Sequence, residues 1–584
     1  MARRFLVFAL LSLLVTRFAA QSAPGEKAEA KPAERLEAKV DAMFATMDST
    51  ISPGCALSVI RDHKIIYERG YGMADLDHNV PIMPTSVFHV ASMSKQFTAA
   101  SIMLLAHEGK LSLDDPVRKY IPELPDFGTP VTIRELLHHT SGLRDQWDLL
   151  GLSGWRYSED RITDADVLYV VTHQKELNFK PNTKTLYSNT NYTLLAQIVA
   201  RVSGQSLREF TTAHIFAPLG MKNTQFRDDF DEIVKNMAYG YSPAGDTFKL
   251  SVTNFDTVGA TSLLTTVEDL ALWDENFYNP RVGGTEMIHD LLEKGRLNSG
   301  KEFGYAAGLV IGEYRGLNTV DHGGADAGYR ADLLRFPDQH FSVACLCNLG
   351  SADPTEFTHK VAEIYLGDMM KPDEAAAVNN AASFKLTAQQ MQARAGFYVN
   401  VDDDSDVVRW ILKDGHLEVG NAGDDDTYPV KAISEDQFHL TVGAEEFTFL
   451  PLKTGAPQQL VIKHGDGTTE TFSAAAAFAP TDAQLAEYAG VYSSPEIDPL
   501  YEFKIEHLHL PGASTAEQDR VHLVLFRLKN SPDPLEPVTH DLFTAGVGKI
   551  RFTRDPHGVI DGFLLSTGRV NNLRFVRGRP AIPN

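Results

Sequence analysis

The C-terminal third of the chain repeats itself. Thr387-Ala388-Gln389-Gln390, followed by Ala395-Gly396-Phe397-Tyr398, returns ninety-four residues later as Thr481-Asp482-Ala483-Gln484, followed by Ala489-Gly490-Val491-Tyr492. Asp436-Gln437-Phe438 is answered in the same way by Asp541-Leu542-Phe543. A repeat at a fixed offset means one supersecondary unit used twice. Short runs of alternating apolar residues, separated by Asp-Gly and similar turn signals, fill both copies and read as antiparallel strands. Each copy has the size of a small barrel or sandwich. Two all-β modules are therefore expected, at residues 384–478 and 479–584, with the break inside the alanine run that ends at Pro480.

The remainder differs in kind. At 584 residues the chain is too long for one ordinary domain. Residues 35–370 carry strand candidates at both ends, Cys55 to Ile60 and Phe341 to Leu346, with helical patterns between them and a last helix from about Thr355 to Asp368. This pattern fits an α+β domain whose helices are segregated from its sheet. Residues 371–383, with Pro372, acidic residues and alanines, read as a linker, and residues 21–34 as a flexible tether. Residues 1–20 have the form of a signal peptide: Arg3 and Arg4, an apolar run from Phe5 to Val15, then Ala19-Ala20. The run is short for a bilayer span. An exported protein, periplasmic or secreted, is the expectation, with an uncleaved anchor as the competing reading. Removing residues 1–20 takes Arg3, Arg4 and Arg17 away and leaves 51 basic against 77 acidic residues, a net charge of −26. That balance argues against a nucleic-acid partner, which demands a basic surface.

Chemistry is signalled at Ser92-Met93-Ser94-Lys95, which opens a predicted helix after the apolar run Val87 to Ala91. Three positions along a helix bring a side chain back to nearly the same face, so Lys95 is placed to touch the Ser92 hydroxyl. Serine is a weak nucleophile until a base takes its proton, and a desolvated lysine can be that base. The helix N-terminus adds N–H groups where an oxyanion would form. Tyr187-Ser188-Asn189 and His322-Gly323-Gly324 follow in order. Together these motifs resemble the Ser-x-x-Lys, Tyr-x-Asn and Lys-Thr-Gly (or His-x-Gly) elements of the penicillin-recognising serine hydrolases, in the class C β-lactamase branch that includes D-aminopeptidases and esterases. Gly109 to Val117, Thr132 to Leu143 and Ser262 to Leu270 extend the resemblance over roughly residues 35 to 370.

The resemblance implies a β-lactamase/transpeptidase-like catalytic domain, followed in the D-aminopeptidase arrangement by two barrels. It implies Ser92 as nucleophile, Lys95 as its activating partner and Tyr187 as second base or proton shuttle, the tyrosine lowered in pKa by cations such as Lys95. Asn189 would bond the substrate amide or help to hold Lys95. Gly324 belongs to the third motif, and the oxyanion hole falls to the N–H groups of Ser92 and Ala325. His322 and Gly323 depart from the lactamase form, in which a lysine and a threonine meet the substrate carboxylate. Histidine is mostly neutral above about 6.5. Ester substrates, or peptides recognised through an amine, are thereby favoured over β-lactam or DD-carboxypeptidase action.

Other candidates are weaker. Cys345 and Cys347 alternate along a strand, so both point to one face. With Cys55 they read as three buried thiols, one bridge from Cys55 staying open because the family fold sets those strands side by side. No metal set is evident, and no cofactor is expected. His138-His139 reads as structural lining of the site, because adjacent residues diverge on a helix. Asp402, Asp404 and Asp406 have the opening of a calcium loop without its glycine and closing glutamate, so a solvated acidic loop is expected. The function read from the sequence is an exported serine hydrolase acting on a small-molecule or peptide substrate. A β-lactamase or DD-carboxypeptidase on the same residues is the alternative, a non-catalytic sensor or binding protein the rival from another class, and a cell-wall component the candidate partner. A chain ended near Gly367 is expected to fold alone.

Overall fold

The structure is a computed structural model. It describes residues 32–372 and 383–579, apart from 404, 424, 425, 442, 466 and 508–520. The expected signal peptide, most of the tether, most of the linker and Asp404 lie outside the described residues.

The described residues open on helix α1 (Pro32–Phe44), which begins inside the segment expected as tether. Strands β1 (Cys55–Arg61) and β2 (Lys64–Tyr71) form a hairpin. Helix α2 (Lys95–His107) follows a 3-10 turn at Ala91–Ser94 and stops before Gly109, whose φ of +71° suits a helix end. Helix α3 (Asn189–Ser203) ends at Gly204, also left-handed. Strands β3 (Val310–Tyr314), β4 (Leu317–Asp326), β5 (Tyr329–Phe336) and β6 (Phe341–Cys347) precede helix α4 (Pro354–Leu366). The six strands make one antiparallel sheet in the order β3-β4-β5-β6-β1-β2. The two strand candidates at opposite ends of the domain are thus direct neighbours, Val59 opposite Val343 and Cys55 opposite Cys347.

β1 and β6 are buried along almost their whole length because both sheet faces are covered. Cys55, Leu57, Val59, Val343 and Cys345 face Phe44 of α1 and Val361 of α4. Ala56, Ala344 and Leu346 face the helical side, with Phe97 of α2 and Trp273. α2 is apolar on nearly every side and runs through the middle of the domain, as a helix without a polar face must. Cys55 and Cys347 form a disulfide, and Cys345 is free and buried. The expectation of three free thiols is therefore corrected: the antiparallel register sets Cys55 directly opposite Cys347, while Cys345 lies two residues further along.

Eight strands between Gly396 and Ala474 close into a barrel, the first pairing with the last. The barrel is filled by Trp410, Phe438, Phe447, Phe449 and Phe472. The second module is a nine-stranded sheet whose edge strands, Asp533–Pro534 and Glu536–Thr539, are separated in sequence only by Leu535, so it curls nearly shut. The repeat has a structural meaning. Thr387 and Thr481 both cap a short helix through a reciprocal box with Gln390 and Gln484. Tyr398 and Tyr492 each donate a hydroxyl hydrogen bond four residues back, to the carbonyls of Arg394 and Tyr488. Asp436 takes Arg394, and Asp541 takes Arg554 and Tyr488.

The modules dock differently. Leu485, Tyr501 and Phe575 of the second belong to the same apolar core as the catalytic domain. Arg144, buried to 1% exposure, bonds Glu496 of that module, itself 3% exposed, at 2.6 Å. Its other amino group donates to the carbonyls of Asn571 and Asn572. A chain ended near Gly367 would bare this apolar face and take Glu496 away from Arg144.

Candidate active site

Ser92 lies in the 3-10 turn that leads into α2, and Ala91 before it has φ +46°. A non-glycine residue in the left-handed region costs on the order of 1–3 kcal/mol and is found where surroundings force it. The Ala91 carbonyl accepts from Ser94 Oγ, which in turn accepts the N–H of Leu263, so the turn is fixed to the strand Leu263–Thr265 behind it. β4 closes the other side. A Cβ on Gly324 would sit 2.2 Å from the Val90 carbonyl oxygen and 3.1 Å from the Ser92 nitrogen. Only glycine permits this approach. It brings β4, and Ala325 next along it, beside the amide of Ser92.

Lys95 is wholly buried, and each of its three donors has an acceptor: Ser92 Oγ at 3.0 Å, Asn189 Oδ1 at 2.9 Å and the Ala260 carbonyl at 2.7 Å. Burial pulls its pKa down to about 7, offset in part by Asp326 and Asp145 and assisted by Arg569. A neutral amine there still donates to Asn189 and Ala260 while its lone pair accepts the Ser92 hydroxyl. Asn189 opens α3, and its orientation is fixed from behind. Its N–H and its Nδ2 both donate to Asp145 Oδ2, at 2.6 and 2.9 Å, which leaves Oδ1 for Lys95. Asn189 is accordingly the holder of Lys95.

Tyr187 lies with its ring 4.8 Å from Lys95 Nζ. Burial drives its pKa well above that of a free phenol, against smaller opposing effects of a Ser92 hydrogen bond and the Arg569 charge. The expectation that Lys95 would lower it is therefore not met. The cost of burying a phenolate outweighs the cations around it, so the proton at neutral pH resides on the tyrosine.

His322 is buried, with its pKa pushed down to about 4 by burial and by Lys95. Its Nδ1 is 2.6 Å from the Gly323 carbonyl, which can only accept, so Nδ1 carries the hydrogen. Nε2 then accepts from the Tyr305 hydroxyl at 3.1 Å. His322 brings neither charge nor a free donor to the site; it orients Tyr305. His139 is packed at tilted angles among the rings of Tyr187, Tyr192 and Tyr305, and its Nδ1 accepts from the Ser188 N–H and Asn191 Nδ2, a structural position. Ser92, Tyr187, Asn189, His322, Gly324 and Ala325 all line one cleft of about 850 Å³, with Lys95 in its floor.

The chain is similar to known proteins. The family model described as Beta-lactamase covers residues 40–365. The chain belongs to the Beta-lactamase family. Protein flp of Staphylococcus aureus (strain MW2) is 30% identical over 328 residues, 53% of this chain and 62% of flp. The chain thus spans under two thirds of that relative. Penicillin-binding protein 4* of Bacillus subtilis (strain 168) is 30% identical over 312 residues, 51% of this chain and 68% of the relative. The octameric penicillin-binding protein homologue from Pyrococcus abyssi shares the fold at 23% identity, with a TM-score of 0.54 over 76% of this chain and 100% of that one.

Three residues placed at this site were not among those expected. Asp145 follows the Thr132 to Leu143 phrase by two residues and caps the helix Gln146–Leu152. An acidic residue at a helix start was its available signal. Tyr305 stands in a loop with no local pattern. Arg569 reaches the cleft from the second β module, nearly four hundred residues from Tyr187 in sequence, and nothing around it in the sequence points there.

Proposed function

We propose that this Beta-lactamase-family chain is a serine hydrolase that cleaves ester or amide bonds through an acyl-enzyme on Ser92. The observation that carries this reading is the buried Lys95 amine, 3.0 Å from Ser92 Oγ and with a pKa near the working pH, where a general base is most effective. Ser92 Oγ attacks the carbonyl carbon as its proton passes to Lys95 Nζ. The N–H groups of Ser92 and Ala325 receive the negative oxygen. Tyr187, protonated, gives its hydrogen to the departing alcohol or amine and is reprotonated from Lys95. Water then attacks the Ser92 ester, losing a proton along the same route in reverse, and frees the serine. The export proposed from residues 1–20 fits a hydrolase of extracytoplasmic substrates.

A panel of a short-chain nitrophenyl ester, a D-alanine anilide and a chromogenic cephalosporin tests the reading. Turnover of the ester or anilide that vanishes in Ser92→Ala is expected. Turnover of the cephalosporin alone would make the chain a β-lactamase. No turnover and no covalent adduct with any of the three would leave a binding protein on a hydrolase fold.

A further inference from the structure

We propose that Arg569, carried by the second β module, is the group that holds an anionic, carboxylate-bearing substrate in the Ser92 cleft. This rests on the serine-hydrolase reading of that cleft and names the substrate class for it.

The Arg569 main chain is held on all sides. Its N–H donates to Asp148 Oδ2 at 3.0 Å, and its carbonyl accepts from the Asp145 N–H at 3.3 Å and Asn178 Nδ2 at 2.9 Å. Thr567 bonds Asp148, and the Asn571 N–H donates to Asn178 Oδ1 at 2.7 Å. The loop is therefore part of the cleft wall, and its position does not depend on the arginine side chain.

That side chain lines the cleft with its guanidinium 4.9 Å from the Tyr187 ring. It is 42% exposed, and Asp145 Oδ2 lies 3.9 Å from Nη1, too far for a hydrogen bond. That oxygen already accepts twice from Asn189, and Oδ1 accepts the Trp147 N–H. Among the described residues, no hydrogen bond is donated by the Arg569 guanidinium. A planar fork of unspent donors beside a hydrolytic serine matches a carboxylate.

The other charges of the cleft have hydrogen-bond partners, although Arg330 commits only its Nη1, to the carbonyls of Ala327 and Tyr329. Lys95 spends its donors as described above. Asp326 accepts the hydroxyls of Tyr157 and Thr261, and Asp353 accepts the Glu356 N–H at the start of α4. His322 is neutral. The fixed positive charge missing from the His322-Gly323-Gly324 strand is thus restored from another domain, and a substrate ammonium group would meet Arg569 as a like charge. This reverses the preference for amine-terminated peptides drawn from the third motif alone.

The test uses the full chain and three esters: para-nitrophenyl acetate, para-nitrophenyl hemisuccinate with its carboxylate in the acyl half, and a nitrophenyl acetate bearing a carboxylate on the ring. Arg569→Ala is expected to lower kcat/KM for at least one carboxylate ester, relative to the neutral one, by about tenfold, chiefly through KM. Arg569→Lys should restore part of that ratio, and Arg569→Glu should depress it further. Equal losses on all three esters would mean a structural role, and unchanged ratios in the three variants would mean that Arg569 does not read the substrate; either overturns the proposal. Ester turnover that survives Ser92→Ala would instead sink the hydrolase reading, an outcome these ratios do not imitate.

Discussion

The two β modules begin alike and end in different relations to the catalytic domain. Each opens on a threonine-capped helix and a strand entered through a left-handed glycine, Gly396 or Gly490. The first closes its barrel around Trp410 and has a core of its own. It touches the second through Val407 and Ala422 against Val538 and Leu542, with Arg409 paired to Glu536 at 3.1 Å. The second shares its core with the hydrolase domain and places Arg569 in the cleft. A repeat therefore fixes the scaffold of a module and leaves its use open. The use is decided by one connection, the loop Thr567–Asn572, and by whether a buried partner such as Arg144 waits for it.

The largest effect should come from removing the second module. A chain ended at Pro480 is expected to be insoluble or inactive on every ester, because it bares the shared core and strands Arg144. A soluble, fully active product would show the modules to be equivalent appendages. Next in size, Arg144→Ala leaves Glu496 buried without its partner and should cost about 3–5 kcal/mol in urea unfolding, with ester turnover falling alongside. Trp410→Ala, about 3–5 kcal/mol for a large aromatic in a barrel core, should lower the stability of the first module yet leave kcat/KM on the neutral ester as it was. Loss of activity there would mean that the first module also supports the site.

A smaller effect links Arg569 to Lys95. The Lys95 pKa, about 7 against an ordinary 10.5, sets the acid limb of kcat/KM near pH 7, with activity rising as the amine loses its proton. Between those two values the unfolded chain holds the proton that the folded one has released, so this group makes stability rise with pH across the window. Arg569 helps to keep Lys95 neutral, so Arg569→Ala should move the limb to higher pH on the neutral ester. His322→Asn should leave the midpoint near 7, since the imidazole titrates near 4. A limb that follows His322 would reassign the base. Smallest of all, Arg409→Ala removes a half-exposed ion pair between the modules and should change stability by at most about 1 kcal/mol, with no shift of the pH profile.

The motifs made most of the catalytic floor legible, because Ser92 and Lys95 are neighbours on one turn and the family resemblance tied Tyr187 and Asn189 to them. The two-module organisation was legible through Thr387 and Thr481, whose capping boxes are local chemistry. What the sequence did not carry was long-range. The Cys55–Cys347 bridge depends on the register of two strands 292 residues apart. The partner of His322 Nε2 is Tyr305, which comes from a separate loop, and Arg569 depends on how a whole module docks. Tyr187 was misread for an electrostatic reason: nearby cations were counted, yet burial of the phenol itself raises its pKa by more than they lower it.

The central claim is that Ser92 becomes acylated with Lys95 as the base. Mass spectrometry of the intact chain after a fluorophosphonate probe, followed by peptide mapping, tests it most directly. One adduct per chain on Ser92 is predicted, absent in Ser92→Ala and formed at least about a hundredfold more slowly in Lys95→Ala. Full labelling of Ser92→Ala, or labelling of Lys95→Ala at the unaltered rate, would contradict it.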